Sequence, residues 1–325
     1  MSNSSRFCIN NKTLYGYDGN EEHIVIPEGI THIATDTFKN NKTLKSVIFP
    51  ESIIVIGAGA FWGCLHLEKV SLPVSLIAIE DNAFRRCSAL SEAHIPSTVQ
   101  TIGSKSFSDC SSLAHIDITC NSITICDNAF SKCSSLKTAR LGAGVTAIGD
   151  HAFYDCQSLQ EICIPASCVS IGKGAFRQCS RLQNAYLSSG LKSIGDEAFF
   201  GCTMLENIVF PDSLISLGSK AFIGCYGLTN IDIPGSLSEI GPQVFSGCLC
   251  LRRVLLREGI EIISMRMFSS CPELEMVNFP STLKVIGASA FKNCKNLTCV
   301  RIPSNTVLID SSSFEGCPHV NLGEI

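Results

Sequence analysis

Residues 274–294 read LEMVNFPSTLKVIGASAFKNC, and the phenylalanine near the end of this stretch returns every 23 residues along the chain. The thirteen copies follow one another without an insertion or deletion, at Phe38, Phe61, Phe84, Phe107, Phe130, Phe153, Phe176, Phe199, Phe222, Phe245, Phe268, Phe291 and Phe314. A period of this length indicates a solenoid, in which each repeat packs mainly against its neighbours. Solenoids usually serve as binding surfaces, so the repeat already favours an interaction protein over an enzyme.

Other positions of the repeat are almost as regular as the phenylalanine. Cysteine follows it by three residues in twelve of the thirteen repeats, and only Asn41 departs from this rule. Leucine follows it by six residues from Leu44 to Leu297, with Val320 in the last repeat. Isoleucine precedes it by five residues, with Leu217 as the one exception. The unit therefore reads L-x-x-V/I-x-I-P-x-x-L-x-x-I-G-x-x-A-F-x-x-C.

This unit resembles the BspA-like class of leucine-rich repeats, which is found in surface proteins of bacteria and in large families of parasitic protists. The resemblance covers roughly residues 24–322, which is nearly the whole chain. It implies a leucine-rich repeat fold and a general role in interaction or adhesion. It identifies no ligand.

The apolar spacing predicts two short strands and one tight turn in each repeat. In residues 161–165, Ile162 and Ile164 point to one side of a strand and their neighbours to the other, because side chains alternate along a strand. A second extended piece follows at 191–194 in the next repeat, and a helical or 3₁₀ turn is expected around 198–202. The predicted fold is a repeat solenoid, similar to leucine-rich repeats, with parallel β-strand ladders in a curved right-handed array.

The two ends of the chain are expected to differ from the repeats. Residues 1–23 are predicted to form an N-terminal capping segment, with a hairpin that turns at Asn10-Asn11. Residues 24–325 hold the thirteen tandem repeats, of which the last is incomplete because only Val320, Leu322 and Ile325 remain for its final strand. An irregular terminus, a covering second chain or a longer natural product would each account for this end.

Nineteen cysteines invite a disulfide interpretation, but twelve of them share one column of the repeat. We predict that this column is a ladder of small buried thiols, because free cysteine is among the most buried residue types. Neighbouring members would have parallel Cα–Cβ vectors, which is poor geometry for a disulfide bond. The chain has no C-x-x-C pair, so the sequence does not predict a structural zinc site.

Composition and motifs argue against several classes of function. The 25 basic residues nearly balance the 29 acidic ones, which gives no electrostatic case for a nucleic acid partner. No catalytic or phosphate-binding motif occurs, so we expect neither an enzyme nor a cofactor. No apolar run approaches the roughly 18 residues of a membrane span. Residues 1–6 lack the apolar core of a signal peptide, which indicates the cytoplasm, whereas the family resemblance indicates the cell surface or secretion.

Function is expected at the positions that the repeat leaves free. The residues eight and ten positions after each phenylalanine should project from the outer face of the first strand, and their chemistry is mixed. A protein partner, or as an alternative a glycan, is predicted to contact His94, His115, Asp117, Arg140, Glu161, Tyr186, Asp232 and Arg253. Tyr186 and Arg140 are the expected hot spots, because large side chains there lose water without disturbing the fold.

Two groups within these columns have alternative interpretations. His94, His115 and Asp117 come from adjacent repeats and are the raw material of a metal or acid–base site, but a solvated polar patch beside Arg140 is the preferred interpretation. Asn184, Asn207 and Asn230 predict an amide ladder along the sheet, for which a structural role is preferred over ligand binding.

The second strand changes character towards the C-terminus. Its outward column is small and polar in the middle of the chain and becomes apolar at Ile262, Val285 and Leu308. An exposed apolar strip marks a contact site, so we expect self-association through the C-terminal end. The alternative function is therefore a cell-surface adhesive or structural array that acts through self-association or through binding to a host or matrix.

Overall fold

The computed structural model describes residues 6–322 and is a parallel β-solenoid of about thirteen turns, as the repeat predicts. The chain divides into two compact units, Met1–Leu159 and Gln160–Ile325. Both units are built from the same 23-residue repeat, which contributes one strand after its leucine and a second, shorter strand before its phenylalanine.

The first unit contains fourteen strands between residues 6 and 159. They are β1 (Phe7–Asn10), β2 (Thr13–Tyr17), β3 (His23–Val25), β4 (His32–Ile33), β5 (Ser46–Ile48), β6 (Val55–Ile56), β7 (Lys69–Ser71), β8 (Ala78–Ile79), β9 (Glu92–Ile95), β10 (Thr101–Ile102), β11 (His115–Ile118), β12 (Ile123–Ile125), β13 (Thr138–Leu141) and β14 (Val145–Ile148). From β3 onwards the odd-numbered strands pair in parallel with one another, and the even-numbered strands from β2 to β14 form a second parallel ladder.

The second unit contains fifteen strands within its described residues. They are β15 (Glu161–Ile164), β16 (Ser170–Ile171), β17 (Asn184–Leu187), β18 (Ser193–Ile194), β19 (Asn207–Val209), β20 (Ser216–Leu217), β21 (Asn230–Ile233), β22 (Glu239–Ile240), β23 (Arg253–Leu256), β24 (Ile262–Ile263), β25 (Met276–Asn278), β26 (Val285–Ile286), β27 (Cys299–Val300), β28 (Leu308–Ile309) and β29 (Asn321–Leu322). β29 pairs with β27, and Ile325, which we placed in the last strand, lies outside the described residues.

A hairpin covers the start of the first unit. β1 and β2 pair antiparallel, and the turn lies one residue later than predicted, at Asn11 and Lys12, whose φ angles are 45° and 61°. The Tyr17 ring packs between Phe7 and Phe38 at centroid distances of 5.1 and 5.5 Å. The hairpin therefore extends the aromatic column beyond the first phenylalanine of the repeat.

The segment that carries each phenylalanine is a run of tight turns, and the described residues contain no α-helix. Around Phe61, the backbone N–H groups of Ala60 and Trp62 donate to carbonyls three residues earlier. The N–H of Phe61 itself donates to the Ala83 carbonyl in the next repeat, at 2.7 Å. The predicted helical turn is therefore replaced by a backbone ladder, because every second N–H leaves its own repeat.

Residues in the left-handed backbone conformation make this ladder of hydrogen bonds between successive turns possible. In the twelve repeats from Phe38 to Phe291, the residues two positions before and after the phenylalanine have positive φ, as Glu197 (56°) and Gly201 (73°) do on either side of Phe199. A residue in this conformation cannot continue a right-handed helix. Polar residues hold these positions at most repeats although glycine tolerates them best, so the stack imposes the conformation.

The phenylalanines form the centre of the core in both units. The eleven from Phe61 to Phe291 are fully buried. Within each unit, adjacent rings stack nearly parallel with centroids 4.9 to 5.6 Å apart. At about 1.5 to 3 kcal/mol for each buried large apolar side chain, this column and the parallel leucine column dominate the stability of the stack.

The prediction of a buried thiol ladder is confirmed, and the structure shows what the thiols do. Eleven of the twelve column cysteines are buried and Cys317 is half-buried. Where two successive repeats belong to the same unit, the thiol of the second donates a hydrogen bond to the phenylalanine carbonyl of the first. Cys87 donates in this way to Phe61 and Cys202 to Phe176, both at 3.2 Å. Asn41 replaces cysteine in the first repeat, where no preceding phenylalanine of the column offers a carbonyl.

Burial of the thiols makes the stability sensitive to alkaline pH. Burial raises the pKa of Cys133 and Cys271 to about 12, and raises the pKa of Cys202 well above that of a free thiol. A thiol in the unfolded chain loses its proton near pH 9, whereas the buried thiol of the folded chain keeps it. The buried thiols therefore stabilise the fold fully below about pH 9, and this stabilisation is lost as the pH rises above that value.

We therefore expect the free energy of unfolding to fall steeply above about pH 9, by about 1.4 kcal/mol per pH unit for each buried thiol. A variant with Cys87→Ala, Cys202→Ala and Cys248→Ala removes three buried thiols and flattens this dependence by about 4 kcal/mol per pH unit. Urea unfolding at a series of pH values from neutral to alkaline measures both slopes. Parallel curves for the two proteins would show that the buried thiols do not control the alkaline limit.

Candidate functional site

The outward face of the first strands is where both units carry their predicted contact residues. Along these strands buried and solvent-facing side chains alternate, as in β9, β13, β15 and β23. The structure therefore places the residues eight and ten positions after each phenylalanine on the outer face, as strand periodicity requires. The two units present faces of different chemistry.

The face of the first unit carries a polar patch on β9, β11 and β13, whereas Val25 on β3 and Ile48 on β5 expose apolar side chains. His94, Asp117 and Arg140 lie side by side on β9, β11 and β13, because Asp117 is in register with both of the others. Arg140 Nη1 lies 4.0 Å from Asp117 Oδ2, and His115 Nδ1 lies 2.7 Å from the Thr138 hydroxyl. The predicted residues are thus brought together, with histidine, carboxylate and guanidinium groups alternating across the strands.

A metal site is not formed by this patch. Between residues 6 and 322, no group of three or more His, Cys, Asp or Glu side chains is arranged to hold a metal ion. Asp117 Oδ1 is buried without a hydrogen-bond partner, and the register neighbours of Asp117 are His94 on β9 and Arg140 on β13. The arrangement is that of a polar surface with one ion pair, between Asp117 and Arg140.

The face of the second unit is more apolar. Tyr186 on β17 and Val209 on β19 are in register and are 54% and 74% exposed. Leu255 on β23 and Met276 on β25 are 41% and 58% exposed. Tyr186, Val209 and Leu255 share one column, which Asp232 interrupts, and Met276 lies in the neighbouring column.

A depression of about 340 Å³ lies at Leu255 and Met276. It is lined by Ile208, Asn230, Ile231, Asp232, Arg253, Val254, Leu255, Met276 and Asn278. It opens where the first-strand ladder is interrupted, because β19 and β21 belong to different sheets. The predicted contact residues Asp232 and Arg253 therefore lie on the rim of a concave apolar surface.

An arginine that sequence reasoning missed holds Asp232. Arg257 donates from Nε and Nη2 to the two carboxylate oxygens of Asp232, at 2.8 and 2.7 Å, and from Nη1 to Asp212 at 2.7 Å. Hydrogen bonding to Asp232 raises the pKa of Arg257. Arg257 occupies the position after the strand where the repeat usually has proline, and this departure was the signal available in the sequence.

The second ladder is interrupted in the same region, between β22 and β24. In neighbouring repeats a hydroxyl bridges to the previous repeat, as Ser236 Oγ does to Leu214 O (2.7 Å) and Thr282 Oγ1 to Ile260 O (2.9 Å). Gly259 takes this position at the interruption and has no hydroxyl to donate. A cleft of about 660 Å³ opens there.

The apolar strip predicted on the second strands is present. Ile262, Val285 and Leu308 are in register on β24, β26 and β28. Ile262 and Leu308 are 54% and 58% exposed, and the adjacent Val307 is 84% exposed. This C-terminal strip, defined by these four residues, is the second apolar surface of the second unit.

The fold and its unbroken 23-residue register define a leucine-rich repeat protein. The sequence pattern described as "BspA type Leucine rich repeat region (6 copies)" matches residues 8–137, 101–211 and 192–321. The chain therefore belongs to the BspA-type leucine-rich repeat family. No curated protein matches it in sequence.

Solved structures agree with this assignment. A leucine-rich repeat protein from Bacteroides ovatus is 26% identical, with a TM-score of 0.70 over 92% of this chain and 77% of its own. A leucine-rich cell surface protein from Faecalibacterium prausnitzii is 26% identical, with a TM-score of 0.56 over 97% and 91%. Leucine-rich repeat families of this kind are generally protein-interaction scaffolds. None of the described residues forms a helix long or apolar enough to cross a membrane.

Proposed function

We propose that this protein is a non-catalytic scaffold that recognises a protein partner through the exposed first-strand face, with most of the affinity contributed by the second unit. The observation that carries this proposal is the exposure of four large apolar side chains on this face, Leu255 and Met276 at the depression and Tyr186 and Val209 on the strands before it. Interface hot spots are large aromatic and apolar side chains that seat in or around pockets and are shielded by a polar rim.

Charged groups around this cluster complete the features of an interface. Glu161, Arg253 and the Asp232–Arg257 pair surround the apolar side chains. Charges at the rim of an interface contribute more to orientation and to the rate of association than to affinity. The polar patch of the first unit, with His94, His115, Asp117 and Arg140, has the same orienting role in this proposal.

The test compares two variants whose substitutions lie on exposed positions. Tyr186→Ala with Val209→Ser removes apolar surface from the second unit, and His94→Ala with Arg140→Ala removes polar groups from the first. We expect partners cross-linked to the intact protein in extracts of the producing cells to fall tenfold or more with the first variant and to change little with the second. Equal recovery with both variants, at equal melting temperature, would contradict the proposal.

Self-association is a second candidate function, and the C-terminal strip favours it. Apolar residues in register over three strands form a self-complementary surface that a second copy of the chain can cover. In this account the protein acts as an adhesive or structural array.

We expect the wild-type mass measured by light scattering to rise with protein concentration, and the variant Ile262→Lys with Leu308→Lys to stay monomeric. A wild-type protein that keeps its monomeric mass over a wide concentration range would remove this candidate.

A further inference from the structure

One row of side chains on the face of the second unit has a regular chemical order. The residue eight positions after each phenylalanine is Glu161, Asn184, Asn207, Asn230 and Arg253 on β15, β17, β19, β21 and β23. A carboxylate, three amides and a guanidinium thus follow one another across five adjacent repeats. Four spacings of about 4.8 Å would make the row roughly 19 Å long, and the step from Asn207 to Asn230 crosses the break in the strand ladder between β19 and β21.

The three amides are available for a ligand. An amide ladder with a structural role would join each side chain to the next, yet no such bond links Asn184, Asn207 and Asn230, all of which are described. Asn230 Nδ2 donates to the Thr229 hydroxyl at 3.1 Å, and its amide oxygen stays open. An asparagine amide offers both donors and an acceptor, which complement the C=O and N–H of a peptide group.

The charges at the two ends of the row are also available. Both Glu161 and Arg253 are exposed, and neither is held by an oppositely charged side chain in the described part of the chain. The nearby carboxylate of Asp232 is already engaged by Arg257. The row therefore has one free negative end and one free positive end.

The neighbouring row supplies apolar contacts. Ten positions after the phenylalanine stand Tyr186, Val209, Asp232 and Leu255, and Asn230 and Arg253 both line the depression of about 340 Å³. An extended chain laid along the amide row would place its side chains alternately towards this surface and towards water.

We propose that the row from Glu161 to Arg253 binds an extended peptide of about six residues from the partner protein, with a basic group at Glu161, an apolar side chain in the depression and an acidic group at Arg253. The peptide forms charge-assisted hydrogen bonds at both ends. Between them, its backbone forms hydrogen bonds with the side-chain amides of the asparagines. The inference rests on the proposed function, since it names what the partner presents to this face.

The probe is a set of four hexapeptide libraries with blocked termini and random interior positions. Their first and last residues are Lys and Asp, Lys and Lys, Asp and Asp, or Ser and Ser. The wild type should retain the Lys and Asp set best. Glu161→Arg makes both ends of the row positive and should prefer the Asp and Asp set, and Arg253→Glu should prefer the Lys and Lys set. The preferences of the two charge variants are independent of the direction in which a peptide binds, whereas that of the wild type is expected for a peptide whose first residue lies at Glu161.

Asn207→Ala should weaken binding of all retained peptides tenfold or more, because it removes the central amide. Equal retention of the four libraries, or a preference that the two charge variants leave unchanged, would overturn the inference. It would also be overturned if no library is retained, or if Tyr186→Ala abolishes binding of a neutral oligosaccharide instead. Loss of the cross-linked partner in the Tyr186→Ala, Val209→Ser variant would then still support the proposed function, so the two failures are distinguishable.

Discussion

Within each unit, the backbone hydrogen bonds between successive turn segments are the interaction on which the rest of the structure depends. The N–H of each phenylalanine that is followed by another repeat of its unit donates to that repeat, as from Phe199 to Ala221 at 2.8 Å, and the neighbouring residues with positive φ donate in the same direction. This ladder fixes the spacing at which the rings stack and brings each thiol to the preceding phenylalanine carbonyl. A larger side chain or a stronger polar group at the cysteine position would disturb that packing.

Because the turn ladder holds the stack together, the first strands are free to vary on their outer face. In the second unit the first-strand ladder breaks between β19 and β21 and the second-strand ladder between β22 and β24, while the turn bonds continue through Phe222, Phe245 and Phe268. A concave surface lined by Asn230, Asp232 and Arg253 lies next to the break on the outer face. Chemical variety and concavity, the two properties that a recognition surface needs, thus arise without loss of the core.

The core and the strands were predictable because the same apolar residue returns at the same position, and burial of Phe, Leu and Ile follows from that alone. The left-handed conformation of the turn residues was not predictable from the sequence. Residues such as Lys105 and Gln243 have no intrinsic preference for positive φ and adopt it through contacts between repeats. The Asp232–Arg257 pair and the ladder breaks were missed for a similar reason: each depends on where a single repeat departs from the pattern. The exposure of the predicted contact residues followed from strand periodicity. The depression did not, because it depends on how the strands of several repeats are arranged in three dimensions.

The most direct measurement of the central claim is the free energy of unfolding of Phe199→Ala. Phe199 is fully buried and stacks on Phe176 and Phe222 at 5.2 and 5.1 Å, so its removal should cost about 3 to 5 kcal/mol and increase hydrogen exchange in the repeats on both sides. Val209→Ala, on the exposed face, is the matched control and should stay within about 0.5 kcal/mol of the wild type. A Phe199→Ala protein as stable as this control would show that the aromatic column does not hold the repeats together.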